Sequence, residues 1–158
     1  WQHALALLGA MPATRAAPNT ISFSAAISAC EKGGRWQCAL ALPGSMLGIR
    51  VAPSTISFNA GISACEKGGE WQRALALLWS MSASDVTPDA ISFNAAVSAC
   101  EKSGRWEVAL ALLHGMDEVR ASPDTISCNA AISACENAGQ WQLALALLRT
   151  MPDLRAVP

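Results

Sequence analysis

Tyrosine is absent from this 158-residue chain, and its aromatic side chains are six tryptophans and three phenylalanines. With 52% of residues apolar, alanine and leucine must supply most of the hydrophobicity, which suits close helix packing rather than sheet. Long apolar runs are also missing. None approaches the roughly 20 residues needed to span a bilayer, so no membrane partner is expected. A surplus of one charge is lacking too: the net charge is −1, which counts against strong non-specific nucleic-acid binding. The charge is unevenly spread, positive through Ser54 and negative from Thr55 to Asp124. The six cysteines include no C-x-x-C pair and no Cys/His cluster, which argues against zinc. Cys30, Cys65, Cys100 and Cys135 recur in one apolar context, while Cys38 and Cys128 are singletons. They read as small buried hydrophobes, and reduced thiols imply an intracellular, reducing compartment.

What the chain does have is a period. Trp1, Trp36, Trp71, Trp106 and Trp141 fall 35 residues apart, and Pro18, Pro53, Pro88, Pro123 and Pro158 keep the same step. A fixed repeat of this length marks a linear array of units that share a continuous core, none of which folds alone. The chain divides into the second half of a truncated unit (1–19) and four units, 20–54, 55–89, 90–124 and 125–158. It begins at Trp1, midway through a unit, and so reads as a piece of a longer array.

Each unit reads as a helical hairpin. In the first complete one, Asn19 and Thr20 follow Pro18 and can cap a helix running to Lys32. Phe23, Ile27 and Cys30 share one face at spacings of four and three. Gly33 and Gly34 stop it, since glycine takes the left-handed conformation of a C-terminal cap. A second helix starts near Arg35, with Trp36, Ala39, Leu40 and Met46 as its stripe and Leu42 on the flank. Leu47 to Ala52 reads as a connector. Two departures stand out. Pro43 occupies the place of Leu78, Leu113 and Leu148 and should kink the second helix at a cost of about 3 kcal/mol. Cys128 replaces Phe23, Phe58 and Phe93 and should loosen the last hairpin.

The unit reads I-S-F-N-A-x-I-S-A-C-E-K-x-G-x-W-x-x-A-L-A-L-L-x-x-M and closes with P-D. This pattern resembles the pentatricopeptide repeat over the entire chain. The tetratricopeptide repeat is the nearest rival, but it carries its tryptophan and a tyrosine in the first helix. The resemblance implies an all-α, right-handed α-solenoid (superhelix) of stacked antiparallel hairpins with about nine helices. It also implies modular binding of single-stranded RNA, one base per unit, in RNA processing, stability or editing, in a mitochondrion or plastid. Carried over by position, Ser24 with Ser54, Asn59 with Asp89, and Asn94 with Asp124 are the base-edge readers. Asn129 holds the first of these places in the last unit. Ile21, Ile56, Ile91 and Ile126 would sandwich the bases, and Lys32, Lys67 and Lys102 would contact phosphate. An Asn/Asp pair resembles a uracil reader with cytosine second, so the two central units favour adjacent pyrimidines, U-U.

Each of these places also has a plainer use. Asparagines near a helix start can bond local backbone, and Asp89 and Asp124 are good N-caps. The lysines suit the C-terminal end of the helix dipole and have Glu31, Glu66 and Glu101 beside them. The isoleucines could pack between hairpins. A protein-interaction scaffold is therefore the alternative function, since stacked hairpins present extended surfaces to other proteins. A further one is the repeat region of an enzyme like protein-only RNase P. Asp85, Asp117, Glu118, His3 and His114 form no converging set, so no catalytic residue, metal, cofactor or small-molecule substrate is expected.

Overall fold

The computed structural model describes residues 1–119 and 121–151. Pro158 and the end of the last unit lie outside the described residues. Among these, nine α-helices and no strand occur: α1 (Gln2–Ala10), α2 (Thr20–Lys32), α3 (Trp36–Gly48), α4 (Thr55–Lys67), α5 (Trp71–Ala83), α6 (Ala90–Lys102), α7 (Trp106–Glu118), α8 (Thr125–Asn137) and α9 (Trp141–Thr150). A short 3-10 turn, Met11–Thr14, follows α1. The all-α solenoid expected from the period is the fold observed.

First helices α2, α4, α6 and α8 each pack on the next, forming one continuous row. Second helices pack on the first helix of their own hairpin and on that of the following one, while no two second helices bring their backbones together among the described residues. The first helices thus stand closer together than the second, so the stack curves with the first helices on its inner side. One core runs through the row. Each first helix contributes a ring or its substitute, an aliphatic residue and a cysteine, as with Phe93, Val97 and Cys100. Each complete second helix adds residues at spacings of three, four and seven: Ala74, Leu77, Leu78 and Met81 in α5, and Ala109, Leu112, Leu113 and Met116 in α7. Leu42 is therefore core rather than flank, while Trp36 and Leu40 pack at its edge.

Local chemistry explains the boundaries. Asn19, Ser54, Asp89 and Asp124 are extended N-caps, each accepting the backbone N–H of the serine three residues on, and that serine's hydroxyl accepts the cap's own N–H. This reciprocal arrangement satisfies two orphan amides at once. At the other end only the second glycine of the turn is left-handed: Gly34, Gly69, Gly104 and Gly139 have φ between 65° and 72°, whereas Gly33 has φ −83°. That is why the second place is always glycine while the first drifts through Gly33, Gly68, Ser103 and Ala138. Gly33 and Gly68 serve a different end, because a Cβ on either would meet the indole of Trp1 or Trp36 from the preceding hairpin.

Pro43 does not shorten its helix. α3 keeps the 13 residues of its counterparts, and the buried Pro43 ring takes the core place of leucine. Cys128 is likewise buried, 1% exposed, where the other units hold phenylalanine.

The five periodic tryptophans stand at the starts of the second helices and are partly exposed. Arg35 lies over the Trp1 ring at 5.1 Å, Arg73 over Trp36 at 4.3 Å and Arg105 over Trp71 at 5.2 Å. Each contact joins one hairpin to the next. Cation–π pairs of this kind are worth about 0.5–1 kcal/mol at exposed sites. Glu70 stands where Arg35 and Arg105 would place an arginine, so Arg73 takes over from the next turn of the helix.

Candidate functional site

The first helices carry a row of exposed isoleucines. Ile21, Ile56, Ile91 and Ile126 are 77%, 69%, 63% and 63% exposed, although the helices around them bury most of their apolar residues. Being the second residue of each helix, just past the cap, they cannot reach the core face defined by the fourth, eighth and eleventh residues. Packing between hairpins, the plainer use of these residues, would have buried them.

Next to this row lies an open groove lined by Asn59, Ser63, Glu66, Ile91, Asn94 and Ile126. The asparagines are tied to the caps of the following unit. Asn59 Nδ2 donates to Asp89 Oδ1 at 3.1 Å, and Asn94 Nδ2 donates to both carboxylate oxygens of Asp124, at 3.2 and 3.1 Å. Asp89 and Asp124 therefore do two things. They cap their own helices and hold the amide of the asparagine one unit back. Ser24 and Ser54 share no hydrogen bond; Ser54 works only within its capping box. Asn129 is exposed and has no such aspartate opposite it among the described residues.

Asn94 is 9% exposed, and its Oδ1 is buried without a hydrogen-bond partner. An unsatisfied buried acceptor costs roughly 1–3 kcal/mol, and native structures retain few of them. Asn59 Oδ1, by contrast, accepts from Ser92 Oγ.

Burial pushes the carboxyls of Asp89 and Asp124 upward, but the backbone N–H of Ser92 or Ser127, the asparagine amide and the serine hydroxyl outweigh it. Both carboxyls are held below the ordinary value of 3.8. A depressed carboxyl adds stability above its unfolded value and loses it as pH falls through its folded value. The chain is thus expected to weaken progressively as the pH drops below about 4. Urea unfolding of the Asp89→Asn, Asp124→Asn double variant should show a shallower acid decline, while an identical slope would contradict the assignment.

The lysines also act across the unit boundary. Lys67 Nζ lies 2.7 Å from Glu31 Oε1 and Lys102 Nζ 2.7 Å from Glu66 Oε1. Ser63 adds a second donor to Glu31 at 3.2 Å. Each lysine thus pairs with the glutamate one unit back, not with its sequence neighbour. Lys32 has no ion partner among the described residues. Glu101 would meet the next rung at Asn137, where the lysine is missing. Burial pushes the Glu101 carboxyl up, with Lys102 lowering and Glu66 raising it. Asn137→Lys should complete a third rung and add up to about 1 kcal/mol, the scale of exposed pairs. Thermal melts at low and high salt would check it, and a salt-independent change would count against an ion pair.

Nucleophilic chemistry finds no support at the thiols. All six cysteines are free, and burial pushes Cys65 and Cys100 up to about 11, where the reactive thiolate is scarce. Among the described residues, no group of three His, Cys, Asp or Glu could hold a metal ion, and no helix is long and apolar enough to cross a membrane.

A row of capped hairpins with paired polar side chains bridging neighbouring first helices defines a helical-repeat solenoid. Residues 76–138 match the pentatricopeptide repeat domain, and residues 56–86 and 126–155 match the PPR repeat. The chain belongs to the pentatricopeptide repeat family. No curated protein matches it in sequence. Among solved structures it is similar to the pentatricopeptide repeat protein PPR10 from maize, with 29% identity and a TM-score of 0.76 over 100% of this chain. It spans 22% of that protein's length. PPR10 in complex with an 18-nt psaJ RNA element superposes with a TM-score of 0.81 at 24% identity, over 98% of this chain and 23% of that one. The PPR domain of Arabidopsis thaliana protein-only RNase P 1, in complex with tRNA, gives 0.73 at 19% identity, over 84% of this chain and 70% of that one. The last two likenesses speak to the fold alone.

Proposed function

We propose that this chain binds single-stranded RNA, one base per unit, as a reader rather than an enzyme. The observation that carries the reading is the pair of Asn–Asp bridges, Asn59 with Asp89 and Asn94 with Asp124, set beside a row of exposed isoleucines. An asparagine amide offers a donor and an acceptor side by side. An aspartate accepting from the amide nitrogen decides which end lies where. Uracil presents a donor at N3 and an acceptor at O4, and cytosine presents the reverse. A fixed amide therefore prefers one pyrimidine, and the family resemblance makes that uracil. The isoleucines flank the base faces.

Affinity is modest in this reading. Lys67 and Lys102 are already neutralised by glutamates, leaving few cations to displace counterions from phosphate. Lys32, with no glutamate partner among the described residues, is the best placed phosphate contact. Work in RNA processing, stability or editing within a mitochondrion or plastid completes the proposal, on the strength of the family resemblance. A protein scaffold is the second reading, favoured by those same neutralised lysines.

Fluorescence anisotropy with labelled oligo-U, oligo-A, oligo-C and oligo-G at two salt concentrations tests the proposal. Oligo-U should bind most tightly and oligo-C next, with a shallow salt dependence. Absence of binding at low salt, or equal binding of all four, would sink it and leave the scaffold.

A further inference from the structure

Asn59 and Asn94 hold the same place in successive units, and each gives its amide N–H to the next unit's aspartate. Their carbonyl oxygens nevertheless differ. Asn59 Oδ1 accepts a hydrogen bond from Ser92, whereas Asn94 Oδ1 is buried and unpartnered. The difference lies in which acceptor stands nearest one serine hydroxyl. Ser92 and Ser127 are equivalent third residues of α6 and α8, and both accept the backbone N–H of their capping aspartate. A serine hydroxyl has a single proton to give. The closest acceptor to Ser92 Oγ is Asn59 Oδ1, across the unit boundary, ahead of Asp89 Oδ1 at 2.9 Å. Ser127 turns instead to the backbone oxygen of its own Asp124, at 2.9 Å.

We propose that Ser92 is a positioning residue that locks the Asn59 amide, so that the Asn59 unit separates uracil from cytosine more strictly than the Asn94 unit does, although both carry the same residue pair. This rests on the base-edge reading of Asn59 and Asn94. Uracil and cytosine differ at the edge an amide can read by an exchange of donor and acceptor, so a half-turn of the amide converts one preference into the other. Asp89 holds the nitrogen end of Asn59 and Ser92 holds its oxygen end. Reversal would set the oxygen against a carboxylate and the NH2 against the proton of a hydroxyl. Asn94 is held at its nitrogen end only, by Asp124. The capping serine of one unit thereby tunes the base reading of the unit before it.

The test uses the 158-residue chain and oligouridylates carrying a single cytidine, placed opposite the Asn59 unit or the Asn94 unit. One hydrogen bond corresponds to about a fivefold effect. The cytidine penalty should accordingly be about fivefold larger opposite Asn59. Ser92→Ala should reduce it to the level seen opposite Asn94, and Ser127→Ala should leave its own position unchanged. Both substitutions remove a capping-box hydroxyl, so a purely structural role would move both positions alike. Equal changes in the two variants, or none in either, would overturn the proposal. Exchange of the Asn59 side-chain amide protons, followed by NMR without RNA, reads the contact separately: Ser92→Ala should speed it about fivefold, and an unaltered rate would refute the lock. Failure of the unmodified chain to bind any of these oligonucleotides would instead sink the base-reading on which the proposal rests.

Discussion

Phe93→Ala is expected to destabilise the chain by about 3–5 kcal/mol, the usual consequence of removing a buried ring from a core that cannot fully collapse. Phe93 is 1% exposed in the middle of the row, within the cluster that joins Phe58, Leu78, Val97 and Leu113. Folded chains of ordinary size hold only about 5–15 kcal/mol in total, so this single change should remove a large share. The effect is propagated, because each first helix packs on both its neighbours and no unit has a core of its own. Circular dichroism during urea titration would show the midpoint falling sharply. A loss below about 1 kcal/mol would mean that the ring is not structural and that the stacked core is wrongly described.

Asp124→Ala should cost about 2–4 kcal/mol, more than a surface carboxylate would ordinarily cost. Two losses combine: an N-cap, worth about 0.5–2 kcal/mol, and the partner of a buried amide, worth about 1–3 kcal/mol. The second loss falls on a different unit, since Asn94 sits in α6 while Asp124 caps α8. Asp124→Asn keeps a capping oxygen, so its effect should be much smaller. The two variants compared by thermal melting separate the dual role from capping alone. Equal, small losses would show that Asp124 only caps.

The hairpins were legible in the sequence because their signals are local. Pro-Asn or Pro-Asp before a helix, a glycine after it and core residues at helical spacing all act within a few positions. The identity of the left-handed glycine was less legible. Only the backbone angles separate Gly34 from Gly33, although the invariance of the second place among the four units offered a clue. Contacts between units were the hardest to read. Lys67 pairs with Glu31, 36 residues back, rather than with the adjacent Glu66, because adjacent residues on a helix point about 100° apart whereas stacked first helices bring matching places together. The Arg–Trp contacts are hidden for the same reason, and the substitution of Arg73 for the absent arginine at Glu70 has no sequence signal at all.

The candidate site shows the same division. Position within the repeat pointed to Asn59, Asp89, Asn94 and Asp124 through the family pattern, and stacking brings each asparagine to its aspartate. Capping is the plainer use that the sequence offers for the aspartates, and the carboxylate that caps also bonds the asparagine of the unit before it. What the sequence conceals is the nearest acceptor of Ser92 and of Ser127, because identical residues in identical places stand beside different ones.

Exchange of one reading pair tests the central claim most directly. Asn94→Ser with Asp124→Asn keeps the α8 cap chemistry and alters only the groups proposed to face a base. Anisotropy titrations against oligouridylates with a single adenosine opposite that unit should show preference at that base moving from uracil to adenine, by about tenfold, within the 1–3 kcal/mol carried by a good side-chain–base pair. Tight binding that is indifferent to the exchange would contradict the account, because the bridges would then hold hairpins together without reading RNA.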